Sequence, residues 1–261
     1  MSYFKKHHVT KRIKKYKRCV KTGNQRVKVA VYNLEMECIA EKNYPTKLYY
    51  PKAGWVEMDV DKYLEATKNG IRDCVTELKR KKIDPKDIRA VFGDGIICGI
   101  VGVDENGDAI TPYINYLDSR CQEDADEIAE KNLQIWGKET GNARPSCMFP
   151  ALIARWFLKN NDDFKAKGRK FMHNAPYILS HLAGLKGENA FVDWGTMSGW
   201  GLGFNVYKKE WSDEQLEILG IDRKFMPKIL KPWDIVGGIS KEIAEYTGLE
   251  EGTPVCAGAG D

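Results

Sequence analysis

GGISKEIAEYTGLEEGTPVCAGAGD, residues 237–261, decides the fold class. It reads as a helix near 240–247 followed by a strand, PVCAGAGD, that runs into a glycine turn. Junctions at the carboxyl ends of strands in open α/β sheets are where ligands bind. A stable domain rarely stops at such a point, so the sequence reads as cut off after Asp261.

Working back from this end, the same alternation recurs. VKVAVYNL, 27–34, is rich in β-branched residues and reads as a strand, and MECIAEKNY, 36–44, as its hairpin partner. LYYPKAGWVEMD, with Pro51 and Gly54, reads as a loop. A clear helix follows, capped by Asp59 or Asp61, with Val60, Tyr63, Leu64, Thr67, Ile71, Val75 and Leu78 on one face. IRAVFGDG, 88–95, reads as a strand ending in glycines. IVGVD and ITPYINYLD flank the turn ENGD as a hairpin. Further helices are expected near 121–139, 149–159, 176–185 and 213–219. FVDWGTMSGWGLG, 191–203, reads as close-packed backbone without a regular element. Strands followed by helices throughout give an α/β fold.

Length and composition narrow the class. The 261 residues allow one large domain or two small ones, and 43% apolar with 30% charged residues excludes a collagen-like, disordered or membrane-embedded chain. The longest apolar run, IICGIVGV at 96–103, is too short to span a bilayer. No secretory signal opens the chain. Seven cysteines form no C-x-x-C pair, which argues against a zinc site or disulfide framework and for a reducing cytoplasm.

The net charge of +4 is uneven. Residues 1–28 carry 11 Lys or Arg and no acid, which leaves 30 against 37, or −7, in the other 233. Residues 1–21 read as a basic head, disordered or loosely attached. Without stacking aromatics or a binding module, nucleic acid is not the expected partner. An anionic partner for the head stays an alternative.

Several stretches together resemble the FGGY family of carbohydrate kinases, such as the xylulokinases and glycerol kinases. AGWVEMDVDKYLEA looks like the family's entry into its first long helix, and ITPYINYLDSR like its aromatic-x-Asp-x-Arg segment. WSDEQLEILGIDRKFMPKI and residues 237–261 look like the end of its first domain. The match runs from about Val27 to Asp261. The resemblance implies an actin-like, ribonuclease-H-like domain with a mixed sheet and flanking helices. It implies that 22–261 is the first, sugar-binding domain of two, with the second, nucleotide-binding domain absent. It implies ATP and Mg²⁺ as cofactors, and a sugar or polyol as substrate.

The resemblance also distributes roles. Asp261, after the glycines of a strand end, would be the base that takes the hydroxyl proton, and Gly258 and Gly260 would let backbone approach the ligand. Asp118 and Arg120 would hold sugar hydroxyls; an ion pair or turn is the alternative from the residues alone. Ile97 and Cys98 stand where xylulokinases carry Met and His, with Cys98 either lining the pocket or filling core. Tyr116 stands where many members carry Trp. Trp194, Thr196 and Ser198 fall near the sugar cleft, with packing the expected role of Trp194. His173 and His181 read as structural. Gly23, Gln25 and Lys28 fit the family's first, phosphate-facing turn. Lys21 stands where that turn has Asp, and Asn24 where it has Thr. A lysine cannot replace a carboxylate on Mg²⁺. RIKKYKRCV reads as too charged for a buried central strand, which favours altered coding in the head. No metal ligands are assigned. The whole reads as a truncated carbohydrate kinase with little activity of its own. The alternatives are a non-catalytic sugar-binding module, or half of a split kinase completed by a separate chain or a homo-oligomer.

Overall fold

Residues that alternate between two faces in sequence are sorted by the sheet that they build. The computed structural model describes residues 16–142 and 144–260. β1 (Tyr16–Thr22), β2 (Arg26–Asn33) and β3 (Cys38–Pro45) form antiparallel neighbours. After β4 (Glu57–Met58), Asp59 caps α1 (Val60–Arg80), accepting the Lys62 N–H at 3.2 Å. The chain continues through β5 (Ile88–Gly95), β6 (Val101–Val103) and β7 (Tyr113–Ile114). Then come α2 (Gln122–Glu130), α3 (Ile135–Thr140), α4 (Pro150–Asn160), α5 (Asp162–Lys167), β8 (Lys170–Met172) and α6 (Asn174–Leu182). β9 (Phe191–Asp193), α7 (Trp194–Ser198), β10 (Phe204–Asn205), β11 (Glu210–Trp211) and α8 (Asp213–Leu219) follow. The last elements are β12 (Lys228–Leu230), β13 (Ile235–Gly238), α9 (Lys241–Thr247), β14 (Pro254–Cys256) and β15 (Ala259–Gly260).

The main sheet has seven strands in the order β13-β14-β5-β1-β2-β3, with β15 also on β5. β5 runs parallel to β1, β14 and β15, while the β1–β2, β2–β3 and β13–β14 pairs are antiparallel. This is the mixed sheet expected. α1 covers one face, its Val60, Tyr63, Thr67, Ile71, Val75 and Leu78 buried among Val29, Val31 and Val91, with α6 and α9 beside it. A second core is built from the middle of the chain. There Phe157, Phe164, Phe171, Trp136 and Trp200 pack between α2, α4 and α8.

The expectation of a detached or altered head through residue 21 is corrected for residues 16–21, which form β1 in the middle of the sheet between β5 and β2. Residues 1–15 lie outside the described residues. The charge argument failed because central position concerns the two hydrogen-bonded edges, not the two faces. Val20 and Thr22 point into the core, at 2% and 1% exposure, while Lys21 lies exposed on the opposite face. A sheet with an antiparallel part can keep one such face wet.

Two further expectations change. The helix at 121–139 is two helices, broken where Asn132 takes a left-handed φ of 45°. The segment 191–203 holds β9 and the short α7, which Asp193 caps. The hairpin expected around ENGD forms, with antiparallel bridges Ile100–Ile114 and Val103–Ala109, and its arms also pair outward, β6 with β8 and β7 with β4. Among the described residues no helix is long and apolar enough to cross a membrane.

Candidate active site

The carboxyl end of β5 gathers the pieces that the sequence scattered. β1 ends beside it, the Ile96 N–H donating to the Thr22 carbonyl at 3.1 Å. β15 pairs with it, Ala259 opposite Asp94 and Gly260 opposite Gly95. The loop after β5 then carries Ile97 and Cys98 against α7. A Cβ on Gly260 would collide with Ile97 Cγ2, and one on Gly199 would sit 2.9 Å from Ile97 Cβ. Gly258 has φ of 87°, and a Cβ there would run into the Gly93 carbonyl. Glycine is therefore required at 258 by conformation and at 260 by space.

Cys98 holds a left-handed φ of 61°, rare for a residue with a side chain. Burial pushes its thiol pKa up, so the group stays protonated. Thr196 stands beside Gly260, 3.4 Å from where a Cβ would lie. Its hydroxyl donates to Asp193 Oδ2, while Asp193 Oδ1 accepts the Gly195 and Thr196 N–H groups at 2.8 and 3.0 Å. Burial pushes the Asp193 carboxyl up, and these donors pull it down. Ser198 donates to the Gly195 carbonyl at 2.6 Å. Trp194 meets Trp233 edge-on at 5.6 Å, the packing role expected of it.

Within YLDSR the Asp118 and Arg120 side chains lie buried, while Leu117 and Ser119 are exposed. Asp118 Oδ2 accepts the Val56 N–H at 2.5 Å and Arg120 Nη2 at 2.9 Å; Oδ1 accepts Arg120 N and Nε at 2.8 and 3.0 Å. Arg120 Nη2 also donates to Glu57 Oε1 at 2.7 Å, and its guanidinium lies 3.7 Å from the Trp55 ring centre. The Asp118 and Arg120 side chains are only 1% and 2% exposed. Both carboxylate oxygens already have protein donors. The ion pair weighed as the alternative describes this geometry, in which the pair anchors the turn that carries Tyr116 and Leu117.

The β1–β2 turn is held through Asn24, whose partners include two residues that the sequence did not single out, Thr46 and Asn115. Asn24 Oδ1 accepts from Asn115 Nδ2 at 2.8 Å, and Asn24 Nδ2 donates to Tyr116 Oη at 3.0 Å. The Asn24 carbonyl accepts from Thr46 Oγ1 at 3.1 Å and Tyr63 Oη at 3.2 Å. An open cleft of 530 Å³ at this turn is lined by Lys21, Gly23, Asn24, Gln25, Arg26 and Lys28. These partners come from the residue after β3, from α1 and from the 115–116 segment, so spacing in the chain offered no signal for the contacts. The turn is thus tied to the segment that bears Tyr116.

His173 is fully buried, edge-on to Trp200 at 5.7 Å, and burial lowers its pKa to about 3. His181 Nε2 lies 3.1 Å from the Gly107 carbonyl. Both fit the structural reading. Asp261 lies outside the described residues, although its neighbour Gly260 is placed. Among the described residues no group of three or more His, Cys, Asp or Glu side chains is arranged to hold a metal ion. The turn where the resemblance expects a carboxylate offers Lys21, Arg26 and Lys28 instead, which does not fit Mg²⁺ there.

This fold and junction have counterparts. The model of the FGGY family of carbohydrate kinases, N-terminal domain, matches residues 18–261. The chain belongs to that family. Among relatives, a glycerol kinase of Thermococcus onnurineus is 27% identical over 243 residues, covering 92% of this chain and 46% of the relative. A xylulose kinase of Staphylococcus xylosus is 23% identical, covering 90% and 47%. Among solved structures, xylulose kinase from Rhodospirillum rubrum superposes with a TM-score of 0.85 at 19% identity, covering 95% of this chain and 49% of that one. Gluconate kinase from Lactobacillus acidophilus gives 0.82 at 24%, covering 95% and 48%. At such identities the structures establish the fold, that of an actin-like, ribonuclease-H-like domain. The chain spans about half the length of the curated relatives that it matches.

Proposed function

We propose that this chain is the substrate-binding part of an ATP-dependent kinase acting on a hydroxyl of a sugar or polyol. The observation that carries the reading is the convergence of Ile97, Thr196, Gly199, Gly258 and Gly260 at the end of β5, one residue before Asp261. In the reaction the substrate hydroxyl gives its proton to the Asp261 carboxylate. The oxygen forms a bond to the γ-phosphorus as the bond from that phosphorus to ADP breaks. The required glycines at 258 and 260 let the backbone before Asp261 lie close to the substrate. Ile97 and Cys98 shape the sugar side, and an apolar Ile97 with a protonated Cys98 favours a different hydroxyl pattern from one read by Met and His. Asp118 and Arg120 act on substrate only by holding Tyr116 and Leu117.

The remaining nucleotide contacts come from the half of the relatives' length that this chain does not span, as a continuation or as a separate chain. Seven free cysteines and no disulfide among the described residues support a cytoplasmic setting. Calorimetric titration with pentoses, ketoses and polyols tests the proposal. One sugar or polyol class should bind, and Ile97→Arg should abolish that binding by filling the space beside Gly260. A folded chain that binds none of the panel would overturn it.

A further inference from the structure

We propose that the cleft between α2 and α3 binds a free α-amino acid with an apolar side chain. The inference stands apart from the kinase reading and from the end of β5. The chain turns at left-handed Asn132 between the two helices, and a cleft of 510 Å³ opens there. Sites for small ligands run from about 300 to 1,000 Å³ and are mostly apolar, with a few polar groups that orient the ligand. Leu133, Trp136 and Pro145 supply the apolar lining here.

The charged groups come from two segments. Asp126 and Glu130 line the cleft from α2, four residues apart and so on one helix face. Like charges at that spacing repel, and a cation between them relieves the repulsion. Asp126 Oδ1 accepts from the neutral Gln122 amide at 3.0 Å, which leaves the negative charge in place. Arg144 lines the same cleft from the segment that follows α3. Among the described residues it pairs with neither carboxylate, so charges of both signs face one space without closing on each other.

The third observation is Trp136. It is 1% exposed, and its Nε1–H finds no acceptor among the described residues. A buried indole N–H ordinarily has a partner, and leaving it without one is destabilising. A ligand carboxylate takes this donor together with Arg144, through a charge-assisted hydrogen bond to the guanidinium. The ammonium group on the same ligand carbon meets Asp126 and Glu130. The ligand side chain then lies along Leu133 and Pro145. An amine alone leaves Arg144 and Trp136 unanswered, and a carboxylic acid alone leaves the two acids so.

Calorimetric titration of the full chain with L-phenylalanine and L-leucine tests the proposal. Phenethylamine and 3-phenylpropionate serve as probes that carry one charge each. At least one of the amino acids should bind, and each probe should bind about tenfold or more weakly than L-phenylalanine. Arg144→Gln and Glu130→Gln should each weaken amino-acid binding about tenfold, because each removes a charge-assisted hydrogen bond. Both side chains are exposed, so neither change threatens the fold. Trp136→Phe keeps an aromatic ring without the N–H and should weaken binding as well. Lys165→Gln, on α5 and outside the cleft, should bind as the parent does. Failure of both amino acids to bind overturns the proposal. So does binding that Arg144→Gln leaves unchanged, or a single-charge probe as tight as L-phenylalanine. Sugar titration is read separately, so this site and the kinase reading fail independently.

Discussion

Two clusters of charge lie at opposite extremes of burial. Asp118, Arg120 and Glu57 form a sealed node in which each carboxylate oxygen of Asp118 has a protein donor. The β1–β2 turn gathers Lys21, Arg26 and Lys28 around an open cleft. In sequence the first cluster looks like a ligand set and the second like damage. The structure seals the first inside the fold and sets the second on a regular pair of strands. A buried charge must be answered by the protein, and is then committed to the fold. A charge on a wet face keeps much of its water, and its pairing contributes little to the fold.

The largest expected effect tests the sealed node. Arg120→Ala leaves Asp118 and Glu57 without their cation in a desolvated place, and should cost about 3–5 kcal/mol in urea unfolding. A loss under about 1 kcal/mol would show that water reaches the node and that the contrast with the turn is overdrawn.

A medium effect comes from His173, a buried titratable group with no open face. Its folded pKa of about 3 lies below the unfolded value of 6.5, so the native state keeps the ring neutral. The unfolded chain takes up the proton as pH falls through 6.5, and the native chain does not until about 3. Stability is therefore complete above 6.5 and declines below it. Between pH 7 and pH 5 the decline should be about 2 kcal/mol, and His173→Phe should flatten it. An unchanged slope in the variant would mean that another group carries the dependence.

The smallest effect belongs to the open turn. Lys21→Gln should change unfolding free energy by no more than about 0.5 kcal/mol, because an exposed side chain on a wet face contributes little. A loss of several kcal/mol would place Lys21 among the structural charges and remove the distinction between the clusters.

Much of this architecture could be read along the chain. The β2–β3 hairpin, α1 with its Asp59 cap, β5, α4, α6, α8, α9 and β14 follow from local pattern, because each needs only neighbours within one turn or one strand. β1 was missed because Lys21 and its charged neighbours suggested solvent, whereas Val20 and Thr22 bury the other face. The break between α2 and α3 turns on one left-handed Asn132, a conformation that the flanking helical pattern conceals. Ile97, Cys98, Gly258 and Gly260 were named from the sequence and do come together. Asn24 and Tyr63 were read only for their local places, and Thr46 and Asn115 not at all, since their contacts with one another cross the fold.

The sequence by itself determined the α/β class, the amphipathic faces and the glycines needed where β14 and β15 approach β5. Periodicity and conformational freedom are local properties, so they survive in one dimension. Only the tertiary structure decided which charges are sealed and which are open. Burial depends on what other segments bring to a face, and residues as near in sequence as Asp118 and Arg120, or as far apart as Asn24 and Asn115, receive their partners from the whole fold.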